Sequence, residues 1–325
     1  RMTRRGWLAG AFGAAAAVAL GAEEALALGR TPLGGKVTMH VPWSLGSLDP
    51  HDLRDPAAAL FGHAVFDSLF AVDATNNPYP ALATAMPTRE GAGTVVRLRE
   101  GLRTARQVAL DARDVIASVE RARVRGGAAL WTDLPRPTAL AADRLTVVFG
   151  AADPIKLARA LASPLFALVP RSFSATAPDG TGAFRADIRG GKLTLTRNQN
   201  AARGASFLES VEVASATDLR TSLRQFEAER DDLGWLGMGL FGGRKNAVRF
   251  DCGALAWIVL VTGSEAGTAG GAGAAQRLAS ALPAERLGHL GLGALPAATG
   301  DPAWTGAKTE LVVDEGAAHL VEIAN

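Results

Sequence analysis

"AWIVLVTGSEAGTAGGAGAAQRLASAL", residues 256–282, places a strand, a glycine-rich loop and a helix in succession. Glycines let backbone N–H groups approach a phosphate at a helix start, so this order can cradle a dinucleotide. The histidines are less suggestive. His40, His51, His63, His289 and His319 never fall at a metal-ligand spacing such as H-x-x-x-H, and His51 and His63 read as surface or helix-cap residues. No G-x-S-x-G elbow is present, and no nucleophile has a recognisable base nearby. The adjacent carboxylates Glu23-Glu24 and Asp231-Asp232 read as solvated turns, not as acid/base pairs. The single cysteine, Cys252, excludes an intramolecular disulfide and a Cys-cluster metal site, and reads as a small buried residue beside a strand.

The loop at 262–269 also resembles the Thr-Gly-x-x-x-Gly-x-Gly pattern of short-chain dehydrogenases. Two details oppose that reading. Ala269 stands where the last glycine belongs, and the only tyrosine, Tyr79, has Ala83 four residues later in place of the lysine such enzymes use. A nucleotide-dependent dehydrogenase is therefore the third reading of this chain. The residues favour a protein that is not an enzyme and uses neither cofactor nor metal.

The elements that must position any site come from a chain of 325 residues, long enough for two domains. Lys+Arg 34 against Asp+Glu 32 leaves a net charge of +2, with the basic residues scattered. A nucleic-acid partner would need a basic stripe, so none is expected. At the amino terminus, Arg4-Arg5 precede an apolar stretch from Trp7 to Ala22, too rich in Ala and Gly for a membrane span. This fits a signal peptide over 1–27, cleaved after Ala27 in the small-x-small sequence Ala25-Leu26-Ala27. The arginine pair before Gly-Trp-Leu resembles the twin-arginine export signal, with an ordinary secretory signal as the rival. The mature protein is expected in the periplasm.

Past the signal, strand and helix patterns alternate. "KVTMHVPW" places Val37, Met39 and Val41 on one face of a first strand. "TVVRLREG" and "RLTVVFG" read as further strands. Between them a helix opens on Asp111 as N-cap, with Ala112, Val115, Ile116, Val119 and Ala122 at helical spacing, and stops at Gly126-Gly127. Residues 181–213 predict two strands about a Gly190-Gly191 turn, a polar bend and a third strand. A second helix starts from Thr217 or Asp218, with Leu219, Leu223 and Phe226 on one stripe. The fold class is mixed α/β.

Several fragments then occur in one order: Leu48-Asp49-Pro50, Phe66-Asp67-Ser68-Leu69, Asp73, Pro80-Ala81-Leu82-Ala83, Leu98-Arg99-Glu100-Gly101, Ala112-Arg113-Asp114-Val115, Gly180-Thr181-Gly182-Ala183-Phe184 and Arg197-Asn198. Together they resemble the extracellular solute-binding proteins of family 5, the peptide/nickel-type binding components of ABC importers. Departures exist: "TARQ" replaces an aromatic-x-Asp-Gly, "QNAARG" a Pro-x-Tyr-Trp, and Ala183 a proline.

The resemblance implies a two-lobed, type II periplasmic-binding-protein-like fold. Its first lobe would span 28–245, with a small subdomain inserted at about 54–165, and 246–325 would form an incomplete second lobe. The strand in "ALAWIVLVTG" and the strand and helix in "KTELVVDEGAAHLVEIAN" would belong to that second lobe. The chain begins with Arg1 and stops inside a helical pattern at "VEIAN", so a partial gene product is expected, with a naturally short protein as the alternative. The implied function is capture of a small, peptide-like solute between the lobes by a monomer that delivers it to a membrane permease. Loops at strand ends and aromatics are the expected contacts: Trp43, Ser44 and Leu45 after the first strand, Trp235 and Leu236 after Asp232, and Trp257. The alternative is a degenerate binding-protein fold with a structural or partner-binding role.

Overall fold

A computed structural model describes residues 33–52, 54–125, 131, 133–140, 142–234, 244, 247 and 248. The chain divides into two compact units, 1–37 with 45–213 and 38–44 with 214–325.

The first strand, β1, is Lys36–Val41, and its burial alternates as the apolar pattern requires, with Met39 and Val41 buried. Helix α1, Pro56–Val65, begins with proline at a position whose N–H has no helical partner, and Asp55 caps it by accepting from the Ala58 N–H at 3.0 Å. Strands β2 (Phe70–Val72) and β3 (Pro78–Pro80) form a small antiparallel pair. Strands β4 (Thr88–Glu90), β5 (Gly93–Arg97), β6 (Thr138–Leu140) and β7 (Asp143–Phe149) make a four-stranded sheet in the order β4-β5-β7-β6.

Helix α2, Ala112–Val124, packs against β6 and β7. Asp111 caps it through a reciprocal box: its carboxylate accepts from the first turn, and Asp114 accepts from the Asp111 N–H at 2.9 Å. The helix ends at Val124 with Arg125 as C-cap, and Gly126 and Gly127 lie outside the described residues. Val115, Val119 and Ala122 turn inward to a core shared with Leu82, Leu98, Phe149, Leu157 and Leu168. Each fully buried Val or Leu there stabilises by about 1.5–3 kcal/mol relative to exposure. A short helix, α3 (Pro154–Ala160), closes this core beside β2 and β3.

The expected hairpin forms. Strands β8 (Phe184–Arg189) and β9 (Lys192–Arg197) pair from Phe184 opposite Arg197 to Arg189 opposite Lys192. Gly190 and Gly191 turn the chain at φ +55° and +74°, the left-handed region a two-residue hairpin loop uses. The third strand is β10, Ser210–Ser215, and the sheet order is β1-β10-β9-β8. Helix α4, Leu219–Glu227, follows. Asp218 is its cap, accepting from the Thr221 N–H, and Leu219 and Leu223 face inward.

Candidate ligand-binding site

In the first unit the motif residues build the frame. Asp49 receives the Arg121 guanidinium on both oxygens, at 2.6 Å each, and the His51 N–H at 3.1 Å. Arg121 also donates to Nδ1 of His51 at 3.0 Å, so Nε2 bears the hydrogen and donates to the Ala167 carbonyl at 2.8 Å. The guanidinium lies 4.7 Å above the ring of Phe173. Burial alone would raise the Asp49 carboxyl, but the Arg121 fork, the His51 N–H and the guanidinium charge hold it below its usual value. Burial, with the charge of Arg121 adding to it, lowers His51 to about 4, so this ring is neutral. His51 is fully buried. The surface or cap role expected from spacing is corrected: Arg121, on a helix 70 residues away, supplies the partner that draws it inside.

A second buried group joins the two ends of this unit. Thr181 donates to Asp67 at 2.8 Å, and Arg203 stands 3.9 Å from the other oxygen while donating to the Tyr79 hydroxyl at 2.8 Å. Burial raises the Asp67 carboxyl, opposed first by the Thr181 bond. The glycines around Thr181 are dictated by space. A Cβ on Gly180 would sit 2.2 Å from the Val65 carbonyl oxygen, and one on Gly182 would sit 2.6 Å from the Val65 carbonyl carbon. The Gly182 N–H instead bonds the Val65 carbonyl at 2.9 Å, and Asn198 returns an amide to the Gly182 carbonyl at 2.8 Å. The Thr-Gly and Arg-Asn that frame the hairpin thus tie it to the end of α1.

In the second unit, the alternation of β1 continues into the loop after it. Met39, Val41 and Trp43 are buried, while Thr38, His40 and Pro42 are partly exposed and Ser44 is exposed. Among the expected site residues, Trp43 is 8% exposed and Leu45 1%, whereas Ser44 is open. The Trp43 carbonyl accepts from the Ser215 hydroxyl at 2.8 Å, fixing the loop to the end of β10. Trp235, Leu236 and Trp257 lie outside the described residues, as do the glycine-rich loop at 262–269 and Cys252.

Asp231 corrects the reading as a solvated turn, whereas Asp232 is exposed as that reading has it. Asp231 is buried, with its side chain 1% exposed, and both its oxygens lie within 2.9 Å of Nδ1 of His40. Asp232 accepts from the Thr38 N–H at 2.9 Å and its hydroxyl at 2.8 Å, while the Asp232 and Leu233 N–H groups donate to the Thr38 carbonyl. The segment that leads to Trp235 is therefore clasped to β1. Reasoning from spacing missed His40, because its partner stands 191 residues on. Its one local signal is its place on the polar, open face of β1, in line with Lys36 and Thr38. Among the described residues, no group of three His, Cys, Asp or Glu side chains is placed to hold a metal ion. No helix among them is long and apolar enough to cross a membrane.

A scan of protein-family models and a search of curated proteins each return no match. Solved structures do match. A nickel ABC transporter protein from Bacillus halodurans is 26% identical with a TM-score of 0.50, over 61% of this chain and 42% of that one. The ABC transporter-associated periplasmic binding protein DppA from Helicobacter pylori, in complex with the peptide STSA, is 21% identical with a TM-score of 0.51, over 62% of this chain and 46% of that one. The binding protein MoaA from A. tumefaciens R10, in complex with mannopinic acid, is 18% identical with a TM-score of 0.54, over 63% and 46%. The match thus spans less than half the length of each of these proteins. The chain has the mixed α/β fold of the two-lobed solute-binding proteins of ABC transporters, and it resembles their family 5 in structure as well as in its motifs.

Proposed function

We propose that this protein is the periplasmic solute-binding component of an ABC importer, capturing a small, peptide-like solute and delivering it to a membrane permease. The observation that carries the reading is the fold, shared with binding proteins solved with a peptide and with mannopinic acid. The ordered motif residues support it, because Asp49, Asp67, Thr181 and Gly182 each do framework work in that fold. In this reading residues 1–27 are the export signal, 28–245 the first lobe with its insertion at about 54–165, and 246–325 part of the second lobe. The protein acts as a monomer, without catalysis. Ser44 contacts the solute, with Trp43 and Leu45 packed beneath the same loop. Trp235, Leu236 and Trp257 supply the apolar surface a solute cleft needs. Hinge closure on the solute makes the form a permease recognises.

The test is thermal unfolding of the purified chain with a panel of di- to nonapeptides, an opine and nickel–histidine complexes. A ligand that binds only the folded state stabilises it by about 2.7 kcal/mol at a hundred times its Kd, so a peptide should raise Tm by several degrees. If no solute shifts the melting of a chain shown to be folded, the import reading fails. The degenerate fold with a structural or partner-binding role then takes its place.

A further inference from the structure

We propose that His40 is a ligand-contacting residue for amine-bearing solutes and that Asp231 is its positioning residue, an inference that rests on the solute-binding reading above. Thr38, His40 and Ser44 share the accessible face of β1 and the loop after it, and Trp43 packs on the other face. Of these, His40 is held by a buried carboxylate. A carboxylate only accepts, so the two short contacts from Asp231, 2.8 and 2.9 Å, place a hydrogen on Nδ1. Nε2 is left on the far side of the ring. Among the described residues no group hydrogen-bonds Nε2, and the side chain is 29% exposed.

The anchor is itself anchored. The Asp231 carbonyl accepts from Arg244 at 2.8 Å, and Asp232 bonds both the backbone and the hydroxyl of Thr38. The ring cannot swing away without breaking its bond to the Asp231 carboxylate. A histidine held through one nitrogen by a buried carboxylate presents the other as a fixed, basic acceptor, the arrangement seen behind metal-binding imidazoles. Two carboxylates flank this face, Asp231 on the His40 ring and Asp232 on Thr38. A group that donates N–H bonds and carries positive charge suits this surface. A protonated amine does both.

Asparagine and glutamine separate contact from support. His40→Asn keeps an N–H donor at the Nδ1 position for Asp231 and removes Nε2. His40→Gln keeps a polar atom near the Nε2 position and gives up the bond to Asp231. Asp231→Asn frees the ring. The probes are the dipeptide Ala-Phe and its N-acetylated form, titrated calorimetrically against the full chain, with the His40 imidazole ¹⁵N resonances followed in parallel. Ala-Phe should bind more tightly than the acetylated form, and its addition should move the Nε2 resonance. His40→Asn and Asp231→Asn should each weaken Ala-Phe roughly tenfold, as loss of one well-placed hydrogen bond does, with little effect on the acetylated probe. His40→Gln should bind between wild type and His40→Asn.

Equal affinity of His40→Asn and wild type for Ala-Phe overturns the contact and leaves the solute-binding reading standing. Failure of wild type to bind Ala-Phe, while another solute of the panel stabilises it, overturns the amine class alone. Stabilisation by no solute at all brings down the parent reading together with this one. Should His40→Asn not fold, the wild-type resonance decides: an Nε2 signal unmoved by bound Ala-Phe overturns the proposal.

Discussion

Thr181 donates its hydroxyl hydrogen to Oδ2 of Asp67, 2.8 Å away and 114 residues earlier in the chain. The bond is buried, and it holds a carboxyl that burial pushes above its ordinary range. Thr181→Val keeps the shape and removes the donor. The loss should be about 1–3 kcal/mol, as for any buried acceptor deprived of its partner. It should be larger at high pH, where the carboxyl is ionised, than in acid, where it is protonated. Urea unfolding at both pH values checks this, and an equal loss at the two would assign the effect to packing.

The His51–Arg121–Asp49 group should set the acid limit of folding. The His51 value falls from 6.5 to about 4 on folding, so the unfolded chain takes up the proton first. Its contribution is complete above pH 6.5, declines as pH drops towards about 4, and amounts to about 3 kcal/mol. Asp49, held below its usual value, adds a further loss in stronger acid. His51→Gln should be less stable than wild type at pH 7 and should lose most of the slope between pH 6.5 and 4, with His63, also lowered by burial, keeping part of it. A wild-type slope retained in that variant would rule out His51 as its source.

Arg121→Met should cost more than any exposed ion pair. It leaves the Asp49 carboxylate, 6% exposed, without its fork, at about 3–5 kcal/mol. Arg121→Lys should recover little, because a single ammonium cannot serve two carboxylate oxygens and Nδ1 of His51 together. Chemical denaturation of both variants at pH 7 decides, and full recovery by lysine would contradict the geometric argument.

Three glycine-to-alanine changes should rank by space. Gly182→Ala drives a methyl into the Val65 backbone, which cannot retreat as a side chain would, and should cost upwards of about 3 kcal/mol. Gly190→Ala meets nothing within 4 Å but retains φ +55°, and should cost about 1 kcal/mol. Gly62→Ala, inside α1 with open space around its Cβ, should stabilise by about 0.5–1 kcal/mol. Melting temperatures in any other order would refute the assignment of the Thr-Gly segment.

Export offers a separate check. Replacing Arg4 and Arg5 together by Lys should block translocation, because twin-arginine recognition reads the guanidinium pair and not only its charge. Cell fractionation reports it; normal export of the variant would favour the ordinary secretory route.

What could be read without coordinates was local. The β8–β9 hairpin follows from two glycines between alternating residues, and the caps of α2 and α4 from an aspartate before each apolar stripe. The faces of β1 follow from Met39 and Val41, and the same alternation, carried two residues further, buries Trp43 and leaves Ser44 open. Long-range pairing was not legible. Asp231 in isolation looks like any turn aspartate, and His51 like any loop histidine, until His40 and Arg121 arrive from 191 and 70 residues away. Desolvation of a polar side chain is decided by such partners, and spacing along the chain does not encode them.

The contact between Gly182 and Val65 also sets an order of assembly. The last carbonyl of α1 waits for an amide 117 positions later, so a growing polypeptide shorter than residue 182 lacks the partner of that carbonyl. Closing so long a loop before any reward is the condition under which chains fold slowly. The first unit is therefore built to remain unfinished through most of its own synthesis, and to close late, when the Thr-Gly segment docks.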